Sequence, residues 1–238
     1  MMKSVLIVVP TRSKTIEEFQ TREISKSLDA LYEHYKTVPD VSLDFNLVTN
    51  NTEGLSKVYN KFLTKDNEKK IVVFCHDDLN IHNLDVVDRL NDAIKQFDIV
   101  GLAGTSEFKR GDVAWHTHEG KWRDKSVLSG KVWHNLDGNH NESVFGEVPK
   151  RCIVMDGLFL AVNVEKALQA DWKFDEDFNW NFYDLSSCLF ANEKKLKMGT
   201  WDIPVTHFSG GGGENGYGSP SWQIDAENFV NKWKENAK

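Results

Sequence analysis

The stretch Ile71-Val72-Val73-Phe74-Cys75-His76-Asp77-Asp78-Leu79 limits what this chain can become more than any other. A short, unbroken apolar run reads as a strand buried on both faces of a parallel sheet. Such a strand needs helices over it, so the expected class is α/β. Its carboxyl end carries two adjacent acids, and in open α/β sheets ligands bind beyond the carboxyl ends of the strands. Neighbouring carboxylates repel. A divalent cation, Mg²⁺ or Mn²⁺, offsets that repulsion and commonly holds substrate phosphates as well. The pair also suits a plain turn, because Asp favours loops.

The flanking segments fill in an α/β alternation. Val5–Val9 reads as a strand ending at Pro10-Thr11-Arg12. The Thr15-x-x-Glu18 capping box opens a helix expected to run to Lys36. Leu43–Val48 is a strand that exits into Thr49-Asn50-Asn51. Leu55, Val58, Tyr59, Phe62 and Leu63 share one helical face, and a further helix is expected over Leu84–Phe97 before a strand at Asp98–Ala103. This order predicts a mostly parallel central sheet flanked by helices.

The pattern changes at Thr105–Arg151, where short antiparallel strands are expected at Val113–His116, Lys121–Arg123 and Lys131–His134, with a turn at Ser129-Gly130. Ile153–Val162 reads as a long strand broken by Asp156-Gly157, the mark of a bulge or of a backbone approached closely by a ligand. Asp175, Glu176 and Asp177 read as a solvated loop. A helix starts at Asp184, a strand covers Trp201–Thr206, and a last helix starts at Ser219-Pro220.

Composition excludes some roles. The net charge is -7, so no basic field attracts nucleic acid and none is expected as a partner. Cys75, Cys152 and Cys188 stand singly, without zinc or disulfide spacing, which favours a reducing, cytoplasmic setting. No apolar run approaches the ~20 residues of a membrane span.

Polar clusters follow several strands: Thr11-Arg12, Asn50-Asn51, His76-Asp77-Asp78, Asp156-Gly157 and His207. In a parallel sheet the first three converge on one rim, where a single crevice can use them all. His207 is either a Mn²⁺ ligand or a satisfied strand-end histidine. Asp184 sits where a helix dipole stabilises a carboxylate, so capping alone would explain it. His116-x-His118 reads as a surface hairpin rather than a metal pair. Gly210–Gly213 could form an anion nest, a lid or a linker.

Taken in order, the motifs resemble the glycosyltransferases of family two. They are Val-Val-Pro-Thr-Arg, Gly54-Leu55-Ser56-x-x-Tyr59-Asn60, Phe74-x-His76-Asp77-Asp78, Val154-Met155-Asp156-Gly157, Phe182-Tyr183-Asp184-Leu185 and Thr206-His207-x-Ser209-Gly210. The nearest branch is the small glycosyltransferase-like group related to a streptomycin-biosynthesis protein. The resemblance runs from Val5 to about Gly213. It implies a single GT-A, Rossmann-like domain: a nucleotide-binding half at 1–104, an acceptor half with a small antiparallel insertion at 105–213, and a C-terminal loop and helix at 214–238.

The resemblance also implies roles. Asp78 and His207 would hold the Mn²⁺ or Mg²⁺, and Asp184 would be the catalytic base. Pro10, Thr11, Asn50, Asn60, Asp77, Asp156 and Gly157 would bind the donor, with a UDP-sugar first among candidates. Trp115, Trp122 and Trp133 would face a saccharide or other hydroxyl acceptor. The implied activity is metal-dependent, inverting sugar transfer. A metal-dependent nucleotide-sugar hydrolase, a nucleotidyltransferase and a non-catalytic sugar-binding relative stay open beside it. Three positions depart from the family pattern: His76 stands for the first acid of the Asp-x-Asp motif, Asn50 for an acid facing the base, and Tyr183 for the Glu of Glu-Asp.

Overall fold

A computed structural model describes residues 3–136, 138–208 and 216–234. The glycine run Gly210–Gly213 lies outside the described residues. In chain order the strands are β1 (Lys3–Pro10), β2 (Val41–Val48), β3 (Ile71–Cys75), β4 (Leu79–Ile81), β5 (Ile99–Gly101), β6 (Ala103–Thr105), β7 (Thr117–His118), β8 (Lys121–Trp122), β9 (Leu128–Leu136), β10 (Asn139–Gly146), β11 (Lys150–Arg151), β12 (Val154–Met155), β13 (Phe159–Asn163), β14 (Met198–Thr200) and β15 (Val205–His207). The helices are α1 (Ile16–Phe19), α2 (Glu23–Tyr35), α3 (Leu55–Asn60), α4 (Val86–Ala93), α5 (Val164–Gln169), α6 (Tyr183–Glu193) and α7 (Pro220–Lys232).

The fold is mixed α/β with a partly parallel sheet. The larger sheet has the order β11-β14-β5-β13-β3-β1-β2. Strands β2, β1, β3, β5 and β14 run one way, while β13 and β11 run against them. The expected β3-to-β5 neighbourhood is therefore split by an antiparallel strand. A fully apolar strand such as Phe159-Leu160-Ala161-Val162 satisfies either direction equally, so pattern alone does not fix it. Every residue of β3 is buried. Helices α3 and α4 pack on β1, α2 on β2 and β4, and α6 on β12 and β14.

A second sheet, β12-β6-β9-β15-β4 with β10 paired to β9, crosses beside the first. Short links carry the chain from one sheet to the other, among them β3 into β4 through His76-Asp77-Asp78, β5 into β6 through Leu102, and β12 into β13 through Asp156-Gly157-Leu158. Asp156-Gly157 is thus a break between sheets, where one long strand was expected. The expected turn at Ser129-Gly130 lies inside β9. Gly130 is glycine because a Cβ there would meet the Leu102 carbonyl oxygen at 2.1 Å. Val113–His116 forms no strand, and the dominant hairpin is β9–β10.

The expected helix over Ile16–Lys36 is two helices. Phe19 and Ile24 are both buried but five apart, a spacing that one helical face does not supply. Thr21 Oγ1 also turns back onto the Glu18 carbonyl at 2.8 Å. The last expected strand begins late, at Val205, because Pro204 cannot donate to a ladder. The loop Asp175–Asp177 is solvated at Glu176 and Asp177, as expected, while Asp175 is drawn in. Asp175 accepts from Ser186 Oγ, and Lys232 of α7 reaches Asp175 Oδ2 at 2.7 Å and Asp177 Oδ2 at 2.7 Å.

The core reaches the site through stacked rings. Tyr59 lies 4.6 Å from Phe74, 5.1 Å from Phe174 and 6.0 Å from Tyr183, centroid to centroid. Each such pair adds about 0.5–1.5 kcal/mol beyond area burial. They join α3, β3 and the start of α6, which fixes the floor beneath His76.

Candidate functional site

β3 ends at Cys75 and β4 begins at Leu79, so His76-Asp77-Asp78 is the short link between strands of different sheets. Asp77 turns toward β1. Thr11 Oγ1 donates to its Oδ2 at 2.6 Å, and Arg22 Nε stands 3.8 Å from the same oxygen. Its charge is met by protein groups, so the repulsion inferred from the adjacent acids does not by itself demand a cation. Asp78 turns toward β15, which pairs with β4 in a register that places His207 opposite Leu79. Phe208 N–H donates to the Asp78 carbonyl at 2.9 Å and locks that register. His207 Nε2 then lies 3.3 Å from Asp78 Oδ2, and His76 Nδ1 lies 4.0 Å from Asp78 Oδ1.

One ligating atom from each of His76, Asp78 and His207 falls within 4.8 Å of the others. Two imidazole nitrogens and one carboxylate oxygen can chelate a divalent ion, and imidazole suits a borderline transition metal better than Mg²⁺. The donor set therefore fits the cation that the sequence implies.

Beside this cluster, the first turn of α6 delivers Tyr183 and Asp184. Phe182, just before it, holds φ at 61°, a left-handed value costly for a bulky residue. Its ring stacks on Phe229 of α7 at 5.0 Å, which holds the bend in place. Asp184 Oδ2 accepts from Gly157 N–H at 2.9 Å and Oδ1 from Leu185 N–H at 2.8 Å. Burial, and next the neighbouring Asp156 carboxylate, push the Asp184 carboxyl up to about 7. Asp156 accepts from Trp115 Nε1 at 2.8 Å and from Leu158 N–H at 2.9 Å.

Two cavities meet here. One of about 640 Å³ is walled by Trp115, Asp156, Tyr183, Asp184, His207 and Trp222 among others. One of about 390 Å³ is walled by Pro10, Thr11, Arg22, Asn51, Asp77 and Asp78 among others. Arg12, His76 and Trp180 line both. The Arg12 guanidinium lies over the Trp180 ring, 5.5 Å from its centroid. The histidine–aspartate cluster thus stands on the boundary, with Asp78 facing the smaller space and His207 the larger.

A family model described as "Glycosyltransferase like family" matches residues 20–208. The chain belongs to that family. No curated protein is detectably similar in sequence to this glycosyltransferase-like chain. Among solved structures it is similar to a mannosyltransferase from Pyrobaculum calidifontis, in complex with GDP-Man and Mn2+. There the identity is 15% and the TM-score 0.48, over 98% of this chain and 65% of that one. It is also similar to the catalytic domain of Drosophila beta1,4galactosyltransferase 7 in complex with xylobiose, at 10% identity and TM-score 0.43, over 84% and 65%. A protein from STIV matches at 9% identity and TM-score 0.44, over 82% and 80%. The chain therefore spans about two thirds of the two transferase chains.

In this glycosyltransferase-like protein, Pro10, Thr11, Asp77, Asp78, Asp156, Gly157, Asp184 and His207 all line the two cavities. Asn50 and Asn60 line neither. Asn50 is exposed in a turn with φ at 50°, and its neighbour Asn51 faces the smaller cavity in its place. The Asn60 amide clamps the 174 loop: Nδ2 donates to the Phe174 carbonyl at 3.0 Å and Oδ1 accepts from Phe174 N–H at 2.8 Å. Of the three tryptophans expected on the acceptor side, only Trp115 lines a cavity. Trp122 is 65% exposed and stacks on Phe145 at 6.4 Å. Trp180 and Trp222 take the other places.

His116 and His118 are divided between tasks. His118 Nδ1 pairs with buried Asp112 at 2.6 Å, while His116 faces the larger cavity. Sequence reasoning did not group His76 with Asp78 and His207, although its i, i+2 spacing from Asp78 just past a strand end is a signal that could have done so. Among the described residues, no helix is long and apolar enough to cross a membrane.

Proposed function

We propose that this chain is a metal-dependent, inverting glycosyltransferase of GT-A architecture. It moves a sugar from a nucleotide-diphosphate donor to an acceptor hydroxyl. The observation that carries this reading is the position of His76, Asp78 and His207 on the wall between two cavities, with Asp184 in the wall of the larger one. The smaller cavity takes the nucleotide and the larger takes the sugar and the acceptor. The smaller is lined from 1–104 apart from Trp180, and the larger from 105–213 apart from Arg12, His76, Gly216, Tyr217 and Trp222.

Asp78, His76 and His207 would hold a Mn²⁺ or Mg²⁺ ion. Bound there, it would neutralise charge developing on the departing diphosphate, so that no proton donor is needed. Thr11 and Arg22 hold Asp77 at the donor rim. Arg12, at the junction, offers the diphosphate a further positive charge. Asp184 accepts the acceptor hydroxyl's proton. The oxygen then attacks the anomeric carbon opposite the leaving diphosphate, and the configuration inverts. A carboxyl poised near 7 suits this work, because a base is most effective when its pKa lies near the working pH. Trp115, Trp180 and Trp222 present flat faces on which sugar rings pack.

A thermal-shift screen of nucleoside diphosphates with and without Mn²⁺ identifies the donor base, because a ligand that binds only the folded form raises Tm. With the matching nucleotide-sugar, wild type should yield a glycosylated acceptor of inverted linkage. Asp184→Asn should retain Mn²⁺-dependent donor binding and lose transfer. Surviving transfer in Asp184→Asn removes the assigned base, and free sugar as the only product makes the protein a hydrolase.

A further inference from the structure

The two residues that replace family acids touch each other. His76 Nε2 and Tyr183 Oη are 2.9 Å apart. The direction of that hydrogen bond follows from counting protons. Tyr183 has one O–H, and it donates to the Gly157 carbonyl oxygen at 3.0 Å. A carbonyl can only accept, so toward His76 the tyrosine oxygen also accepts, and His76 Nε2 carries the proton. In a neutral imidazole the other nitrogen is then bare. That bare Nδ1 faces Asp78 Oδ1, 4.0 Å away. A bare imidazole nitrogen and a carboxylate oxygen at this separation are two donor atoms that one cation can share. The gap is within the ~4.2 Å spanned by two metal–ligand bonds of about 2.1 Å each.

Gly157 belongs to the same device. A Cβ at this position would lie 2.2 Å from Tyr183 Oη, so only glycine lets the phenol reach its carbonyl. The Gly157 N–H meanwhile holds Asp184 Oδ2 at 2.9 Å. One residue thereby ties the Tyr183–His76 contact to Asp184.

We propose that Tyr183 is a positioning residue: it fixes His76 as the Nε2–H tautomer, so that His76 joins Asp78 and His207 in holding a divalent cation through Nδ1. This deepens the metal-dependent reading above and rests on it. A ligating histidine held by a second group in this way typically loses 10- to 100-fold in metal affinity when that group is removed.

The test uses the whole chain and Mn²⁺ alone, with no sugar donor. Nitrogen-15 NMR of histidine-labelled, metal-free wild type should show His76 protonated at Nε2 and bare at Nδ1. By calorimetry, Tyr183→Phe should weaken Mn²⁺ binding about 10- to 100-fold, with a Tm that shows the fold intact. His76→Ala should weaken it at least as much. The double variant should bind no more weakly than His76→Ala, because the tyrosine acts only through the imidazole; a general structural effect would add to it. A wild type protonated at Nδ1 overturns the proposal. So does a Tyr183→Phe protein that binds Mn²⁺ like wild type, and neither result touches the transfer reading. A wild type with no Mn²⁺ affinity overturns this proposal and the metal dependence together.

Discussion

Replacing Asp184 with Asn should flatten the pH dependence of folding stability, and the direction can be worked out. The carboxyl sits at about 7 in the folded protein against an ordinary value of 3.8, raised first by burial and next by Asp156. Between those values the native state keeps a proton that the unfolded chain has released. Stability contributed by this group is therefore full below about pH 4 and falls as pH rises through 7. A shift of about three pH units, at 1.36 kcal/mol each, sets a ceiling of ~4 kcal/mol. The carboxylate opens onto the large cavity, and solvent screening reduces that to roughly 2–3 kcal/mol. Asn carries no such titration.

His82, His116 and His134 are all lowered, first by burial, and act in the opposite sense: their stability is gained as pH rises toward the ordinary histidine value. They are common to both proteins, so the difference between the two isolates Asp184. The assay is urea denaturation of wild type and Asp184→Asn at half-unit steps from pH 4.5 to 8. The variant should gain on wild type by about 2 kcal/mol or more over that range. Parallel curves, or a wild type that gains on the variant as pH rises, would refute the assignment of a buried, proton-retaining carboxyl.

Three other outcomes follow from the same contacts. Asp156→Asn should move the titration of Asp184 down by about one pH unit, read by carbon-13 NMR of the labelled carboxyl; an unmoved midpoint would mean that burial alone sets it. Mn²⁺ should raise Tm well above any effect of equal Mg²⁺, and His207→Ala should abolish the difference, because two of the three ligating atoms are imidazole nitrogens; equal response to both ions would argue against nitrogen ligation. Asp112→Ala should cost about 3–5 kcal/mol, measured by denaturation, because it strands the buried Arg123 guanidinium, whose side chain is 3% exposed; a loss under 1 kcal/mol would show that Arg123 escapes to water.

Much of this arrangement was legible in the chain itself. The run Ile71–Cys75 announced a strand covered on both faces because it is short, rich in β-branched and aromatic residues, and bounded by polar ones. The separation of Asp78 from His207, by contrast, became readable only through the resemblance, since it depends on β15 pairing with β4 across more than a hundred residues. What escaped has physical reasons. The direction of β13 is invisible in an all-apolar sequence. Asn50 and Asn51 differ only in which one the left-handed turn exposes. Asn60 carries a motif position yet spends its amide on the Phe174 backbone, where a loop had to be closed. His76 counted as a lost acid, although a histidine two residues before an aspartate supplies a nitrogen where the acid supplied an oxygen.

Charge is sorted across the boundary between the cavities, and that sorting gives the site a direction. On the smaller side Arg22 meets Asp77, while Arg12, which lines both cavities, lies against the Trp180 ring and makes no ion pair among the described residues. An approaching diphosphate therefore finds a cation whose partner is an aromatic face, which is easily shared. On the larger side Asp156 and Asp184 crowd each other, and one of them retains a proton near neutral pH. In the proposed transfer the diphosphate would leave past Arg12, and the acceptor's proton would pass to Asp184, which lines only the larger of the two cavities. Swapping that order would place a repelled diphosphate beside Asp156. Arg12→Ala should therefore weaken nucleoside-diphosphate binding while leaving the titration of Asp184 in place. If the carboxyl moves as well, the two pockets are one electrostatic unit and the division of labour argued here does not hold.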